Sequence, residues 1–272
     1  MQPDSSGESE LCAAAKLAAG HSDAELLMST LWHELVGGRY RIVASFTDEA
    51  HFYLVLAGAE RVPTDRKRPG RRDVTVLESI LSGKQQKVIA IEDGLAPSTV
   101  AVAAAQCARS MGLACTATQV PTVLFIAAHA KIHDCSNVRA QHAAFDFADE
   151  PFEVIRVRRP DSNLLVELSK SERAIADLLI DRHSNAQIAR LRKRSSRTIA
   201  NQLGSIYRKL KASGRTNILA LLVSRWCEKQ RDYRLPAPVA SPDMPPPASY
   251  SRALSSIARP ETHFEASFPK SQ

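Results

Sequence analysis

A chain of 272 residues that is 44% hydrophobic and 24% charged has room for one or two compact domains, and its composition excludes a collagen-like or wholly disordered protein. Its formal net charge of +7 favours a polyanionic partner without fixing a fold, and aromatic residues at only 6% leave an aliphatic core. The scattered Cys12, Cys107, Cys115, Cys135 and Cys227 form no CxxC pair, so reduced thiols and a cytoplasmic location are expected, with no disulfide framework.

Residues 1–21 are small and polar and are expected to be poorly ordered; Asp4, Glu8 and Glu10 are unlike the start of a signal peptide. Leu26, Leu27, Leu31, Trp32 and Leu35 give a helical period over 23–36, with Ser22 as a candidate N-cap and Gly37-Gly38 as the stop. The β-rich runs Tyr40–Phe46 and Phe52–Ala57 flank Thr47-Asp48-Glu49-Ala50 and read as a hairpin. Arg61, Arg66, Lys67, Arg68, Arg71 and Arg72, opposed only by Asp65, make a basic loop. Residues 73–112 read as helical, and Pro121–His133 as a further helix with proline in its first turn. Residues 139–147 and 152–158 make a second hairpin around Asp149-Glu150-Pro151, and 169–229 is helical again. From residue 230 the chain turns Pro- and Ser-rich, with eight of its fifteen prolines between 236 and 269, and reads as a disordered tail. No apolar run approaches the ~20 residues of a membrane span, so no membrane partner is expected.

Little here suggests catalysis. No G-x-S-x-G, P-loop or dinucleotide fingerprint occurs, and Glu78 and Asp93 sit at helical positions with no partner in sight. His129, His133, Cys135 and His142 are zinc-ligand types, but their spacing matches no finger. No metal, no cofactor and no enzymatic activity are expected.

The charge distribution points elsewhere. Ser169-x-x-Glu172 is a capping box, and Ile175, Leu178 and Leu179 give an inward helical face. Ser184 can cap a second helix, Ser195 or Ser196 a third with Ile199, Leu203, Ile206 and Leu210, and Ser213 a fourth with Ile218, Leu221, Leu222 and Trp226. Between Arg192 and Lys211 lie seven basic residues and no acid. A helix charged at both ends can lie in a major groove with phosphates near each end.

Leu168 to Leu222 resembles the LuxR-type (NarL/FixJ) DNA-binding domain. The family's L-[ST]-x-x-E-R stands here as Leu168-Ser169-Lys170-Ser171-Glu172-Arg173, and its S-N-x-x-I-A as Ser184 to Ala189. Its T-V step is Thr198-Ile199, its K-L is Lys209-Leu210, and its S-x-R-x-x-[IL] runs from Ser213 to Ile218. The chain departs from the family at Arg182, where glycine is usual, at Ala200, where lysine is usual, and at Gln202, where histidine is usual. The resemblance implies that Ala200, Asn201 and Gly204 face bases, with Asn201 able to pair bidentately with adenine. Arg197 and Thr198 fall at phosphate-contacting positions. The full DNA-facing set is Arg192, Lys193, Arg194, Ser196, Arg197, Thr198, Ala200, Asn201, Gly204, Arg208 and Lys209. The resemblance also implies dimerisation through the fourth helix at Ile218, Leu221, Leu222 and Trp226.

Residues 71–113 align with 170–212 at a constant offset of 99, pairing Ile89-Ala90 with Ile188-Ala189 and Thr99-Val100 with Thr198-Ile199. The hairpins align at a nearby offset, with Phe46-Thr47-Asp48-Glu49 against Phe147-Ala148-Asp149-Glu150. The expected organisation is therefore mainly α with small β-hairpins, in two tandem helix–hairpin–helix-turn-helix units at 22–120 and 121–229. The second carries a winged-helix-like, LuxR-type four-helix domain. In the first, the base-facing positions would be Ala101, Val102 and Ala105, and the recognition helix carries one basic residue, Arg109, where the second carries several. That unit reads as a packing or dimerisation element, with DNA contact aided by the basic loop as the alternative. The expected partner is double-stranded DNA, bound by a homodimer or an intrachain pseudo-dimer that controls transcription. The competing reading is a basic protein-interaction module that meets an acidic partner such as an RNA polymerase subunit.

Overall fold

The computed structural model describes residues 5–58, 69–113, 120–135 and 137–232. The expected tail from 233 onward and residues 61–68 of the basic loop lie outside them; residues 230–232 continue the last helix.

Ordering begins earlier than expected. Ser5–Gly20 forms helix α1, with Leu11, Ala15 and Ala19 at i, i+4 and i+8 buried on one face. These small residues let α1 lie against Tyr53, Val55, Ala57, Phe152 and Val154 on one side of a sheet, which is why this stretch is ordered. Ser22 does not cap a helix: its hydroxyl donates to the His142 carbonyl at 2.6 Å. Glu25–Leu27 is a short strand, β1, and α2 starts only at Met28, running to Val36.

Strands β2 (Tyr40–Thr47), β3 (His51–Gly58), β4 (Arg139–Phe147) and β5 (Glu150–Arg158) join β1 in one antiparallel sheet, ordered β1-β4-β5-β3-β2. The two hairpins meet along β3 and β5, where Val55 faces Val154. The second hairpin turns in two residues, Ala148 and Asp149, with φ of 51° and 62°. That tight turn starts β5 at Glu150, sooner than expected, and places Pro151 opposite Asp146 inside the ladder. In the first hairpin Asp48 shapes a longer turn by accepting the Ala50 and His51 N–H groups at 2.9 and 2.8 Å. The ladders coincide at an offset of 99 residues, not at the offset suggested by the Phe-x-Asp-Glu similarity: Thr47 faces Phe52, and Asp146 faces Pro151.

Three helices follow each hairpin. They are α3 (Arg71–Leu81), α4 (Gln86–Glu92) and α5 (Pro97–Ser110), then α7 (Lys170–Ile180), α8 (Asn185–Leu191) and α9 (Ser196–Lys209). Every bound in the second set is the first plus 99. The central helix α6 (Thr122–Ile132) has Thr122 to Ala130 all buried, as suits a helix enclosed by α2, α3, α10 (Arg215–Asp232) and β3.

Residues from Met28 to Cys227, drawn from both expected units, share one hydrophobic core. The expected winged-helix likeness is corrected: among the described residues no hairpin stands beside α9 as a wing, because the strands all belong to the one sheet and α10 follows α9 directly. Glu78 also has partners: it accepts from Trp32 Nε1 and Lys131 Nζ, both at 2.8 Å, tying α3 to α2 and α6.

Candidate nucleic-acid interface

The second helical unit is built on serine caps. Ser169, Ser184 and Ser195 accept the N–H groups of Glu172, Gln187 and Thr198 at 3.4, 3.2 and 3.0 Å. Glu172 and Gln187 complete two capping boxes by accepting the Ser169 and Ser184 N–H groups at 2.8 and 2.7 Å. Ser213 does not cap the fourth helix; its N–H donates to Asn217 Oδ1 at 3.2 Å, and α10 begins at Arg215.

Helix α9 buries Ile199, Leu203 and Ile206 and turns the opposite face outward. On that face Arg197, Asn201, Gly204 and Arg208 fall at i, i+4, i+7 and i+11, a stripe of roughly 17 Å at 1.5 Å per residue. Arg197, Asn201 and Arg208 are exposed and Gly204 is half-buried. Arg192, Lys193, Arg194, Ser196, Thr198 and Ala200 are exposed beside its N-terminal end. Ordered amides and a positive helix end are well placed there for phosphate. Lys209 differs from the rest: its ammonium is 2.7 Å from Glu172 Oε2, and Ser205 donates to Glu172 Oε1 at 3.0 Å. Glu172 is buried in this pin, and the Lys209 ammonium, helped by Ser169 and Ser205, holds its carboxyl down to about 2. Lys209 thus fastens α9 to α7, a role that its place among basic residues concealed.

Sequence reasoning passed over Arg190, which is exposed in the last turn of α8 and extends the basic face. Arg215 was read only as a motif residue. It is half-buried and donates to the His183 carbonyl and, at 2.9 Å, to Asn185 Oδ1, bracing the turn between α7 and α8.

The residues after α7, α8 and α9 that take left-handed backbone are Arg182, Lys193 and Lys211, with φ of 68°, 50° and 51°. The matching residues of the first unit are Gly83, Gly94 and Gly112. Arg182 thus keeps the backbone conformation that makes glycine usual at this position, and a long basic side chain occupies it at a cost of about 1–2 kcal/mol. The Arg182 guanidinium lies 5.8 Å from the Phe125 ring centroid.

The first unit has the same shape and different chemistry. Gly70, Gln85 and Ala96 precede its helices with no side-chain cap bond. From Arg190 to Lys211 the second unit holds eight basic residues and no acid; the matching stretch Ile91–Gly112 holds Glu92, Asp93 and Arg109.

Of the expected dimerisation residues, Ile218, Leu222 and Trp226 are buried and Leu221 packs partly buried against the same core. Helix α10 covers α6 and reaches the first unit, where Asn217 Nδ2 donates to the Gly83 carbonyl at 3.0 Å. The surface expected to receive a second chain is therefore occupied from within. His129 and His133 stack with centroids 4.2 Å apart on α6. Among the described residues no group of three or more His, Cys, Asp or Glu is placed to hold a metal, and no single helix is long and apolar enough to cross a membrane.

Residues 166–222 match the family model described as bacterial regulatory proteins, luxR family. This segment, from the linker before α7 into α10, is a LuxR-type helix-turn-helix domain. No match to the chain was found among curated proteins or solved structures.

Proposed function

We propose that the chain is a sequence-specific transcriptional regulator that lays α9 in the major groove of duplex DNA. The observation that carries this reading is the coincidence of the LuxR-type segment with an acid-free basic surface around a capped, outward-facing helix. In this reading Asn201 reads a base, Arg197 and Arg208 bracket it on the same stripe, and Arg190, Arg192, Lys193 and Arg194 meet phosphate. Because Ala200 stands where the family carries lysine, the operator differs from those of relatives. The chain acts in the cytoplasm and carries no catalytic site.

The two helical units descend from an internal duplication in this reading, supported by helices of equal bounds and by hairpin ladders at the same offset. Helix α6 follows α5 as α10 follows α9, and the two pack together. The chain is thus its own pseudo-dimer at this contact, with the first unit as scaffold and the second as reader.

Asn201→Ala tests the assignment. It is expected to cost roughly 1–3 kcal/mol of affinity at one base position of a selected site. An equal loss on every sequence, measured by competition binding, overturns the base-reading role.

A further inference from the structure

A groove of about 760 Å³ lies between the sheet and the LuxR-type segment, and none of its described lining residues belongs to α9. One wall is the end of the hairpins, with Glu49 and Ala50 in a turn and Arg158 and Arg159 where β5 stops. The other is a single stripe of α7, on which Lys170, Arg173, Ala174 and Asp177 fall at i, i+3, i+4 and i+7. Asp161 and Asn163, in the stretch that joins β5 to α7, complete the lining.

The charges of the groove balance. Arg159 is spent inside the chain: it donates to the two Asp181 oxygens at 2.5 and 3.0 Å and to the Asp177 carbonyl at 3.2 Å. That leaves three cations in the lining, Arg158, Lys170 and Arg173, against three acids, Glu49, Asp161 and Asp177. Among the described residues the one ion pair made by any of these six joins Asp177 to Arg159, at 4.0 Å. Asp161 accepts the Asn163 N–H at 2.8 Å. Arg173 Nη1 donates to Asn163 Oδ1 at 3.1 Å, while its Nε is buried with no hydrogen-bond partner among the described residues. Buried donors are rarely left so. The Nε–Nη2 edge of a guanidinium is also one that a carboxylate grips with both oxygens.

We infer that this groove binds a di- or tripeptide with free termini, its carboxylate held by Lys170 and Arg173 and its ammonium by Asp177. Charge selects the class. A nucleotide or other polyanion meets three acids there, and a polyamine meets three cations. An apolar ligand finds only Ala50, Pro160 and Ala174, and no aromatic ring, to cover. Length selects the size. Asp177 stands four residues beyond Arg173 and seven beyond Lys170, a rise of about 6 to 10.5 Å at 1.5 Å per residue. Two or three extended residues span about the same distance, at roughly 3.3–3.6 Å each. A single amino acid carries both charges on one Cα and is too short to reach both ends.

Ligand-observed NMR of the full chain titrated with triglycine, without DNA, tests this. Saturable binding with a Kd of about 1 mM or tighter is expected. Acetylating the amino end or amidating the carboxyl end of triglycine should each weaken binding at least ~10-fold, about 1.4 kcal/mol. Lys170→Gln and Asp177→Asn should each do the same from the protein side. The cross-terms locate the two ends: acetylation should cost nothing further in Asp177→Asn, and amidation should cost less in Lys170→Gln than in the parent chain. Lys170 is exposed, so an unchanged thermal melt of its variant separates lost binding from lost folding. No saturable binding by roughly 10 mM, equal binding of the blocked peptides, or variants indifferent to which end is blocked overturns the assignment. The titration involves no DNA and no residue of α9, so its outcome is independent of the DNA-binding reading.

Discussion

The two helical units share a backbone and differ at nearly every helix end. In the first, left-handed turns fall on Gly83, Gly94 and Gly112, while helix starts lack side-chain caps. In the second, each start is capped by serine, and each left-handed turn carries Arg182, Lys193 or Lys211. Apolar spacing is common to both: Ile89, Val100 and Cys107 are buried, as are Ile188, Ile199 and Ile206. The difference teaches that packing defines the unit, while its ends are free to serve another purpose. In the second unit that purpose is positive charge, accepted at a local cost in backbone strain that the caps offset.

Substitutions at matched positions can break this comparison. The largest effect is expected at Gly112→Ala. Its φ is 94°, and a Cβ there would collide with the Ile42 carbonyl oxygen, so unfolding in urea should show a loss of about 3 kcal/mol. The matched change Lys211→Gly should do the opposite and stabilise by about 1 kcal/mol. A loss at both positions would mean that the two turns are not equivalent.

Next comes Glu172→Gln, expected to cost about 2 kcal/mol by removing the charge-assisted bonds from Lys209 and the Ser169 N–H. The matched Asp73 has only a 3.4 Å bond from the Gly70 N–H, so Asp73→Asn should cost less. The sign of the pH dependence follows from Glu172, whose folded carboxyl is held at about 2 against an ordinary value of 4.5. Its contribution is complete above about pH 4.5 and is lost as pH falls towards 2. Glu167, held down to about 2 chiefly by Arg225, acts in the same direction. Acid titration of stability should therefore flatten over this range in Glu172→Gln.

The smallest effect sharpens the trade itself. Lys193→Gly should raise stability by about 1 kcal/mol while lowering the salt slope of DNA binding by about 0.9. Urea unfolding and binding at several salt concentrations measure the two arms. A gain in stability with unchanged DNA binding would remove Lys193 from the phosphate-facing surface.

Much of this was legible in the sequence. Capping serines, apolar spacing and the alignment at 99 residues located the helices, because each is a local pattern. What escaped depends on distant contacts. Helix α1 is ordered only because Leu11, Ala15 and Ala19 find a sheet face assembled from two hairpins far along the chain. Ser22 meets the His142 carbonyl, 120 residues away, so its cap-like position misled. Ile218 and Trp226 are expected in a dimer interface because the family resemblance implies it; they lie in the chain's own core, against elements far away in sequence. Lys209 read as a phosphate contact because its charge is visible in the sequence and Glu172 stands 37 residues before it. The basic face itself was legible because solvent-facing charge needs no partner.

The central claim, that the second unit carries the DNA-binding surface and the first does not, is tested most directly by the salt dependence of duplex binding in two matched variants. Arg192, Lys193 and Arg194 replaced by serine should lower the slope of log K against log salt by about 2.7 and cost about a hundredfold in affinity near physiological salt. Lys84, Lys87 and Arg109 replaced by serine should leave both values unchanged. Equal losses from the two variants would contradict the division of labour between the units.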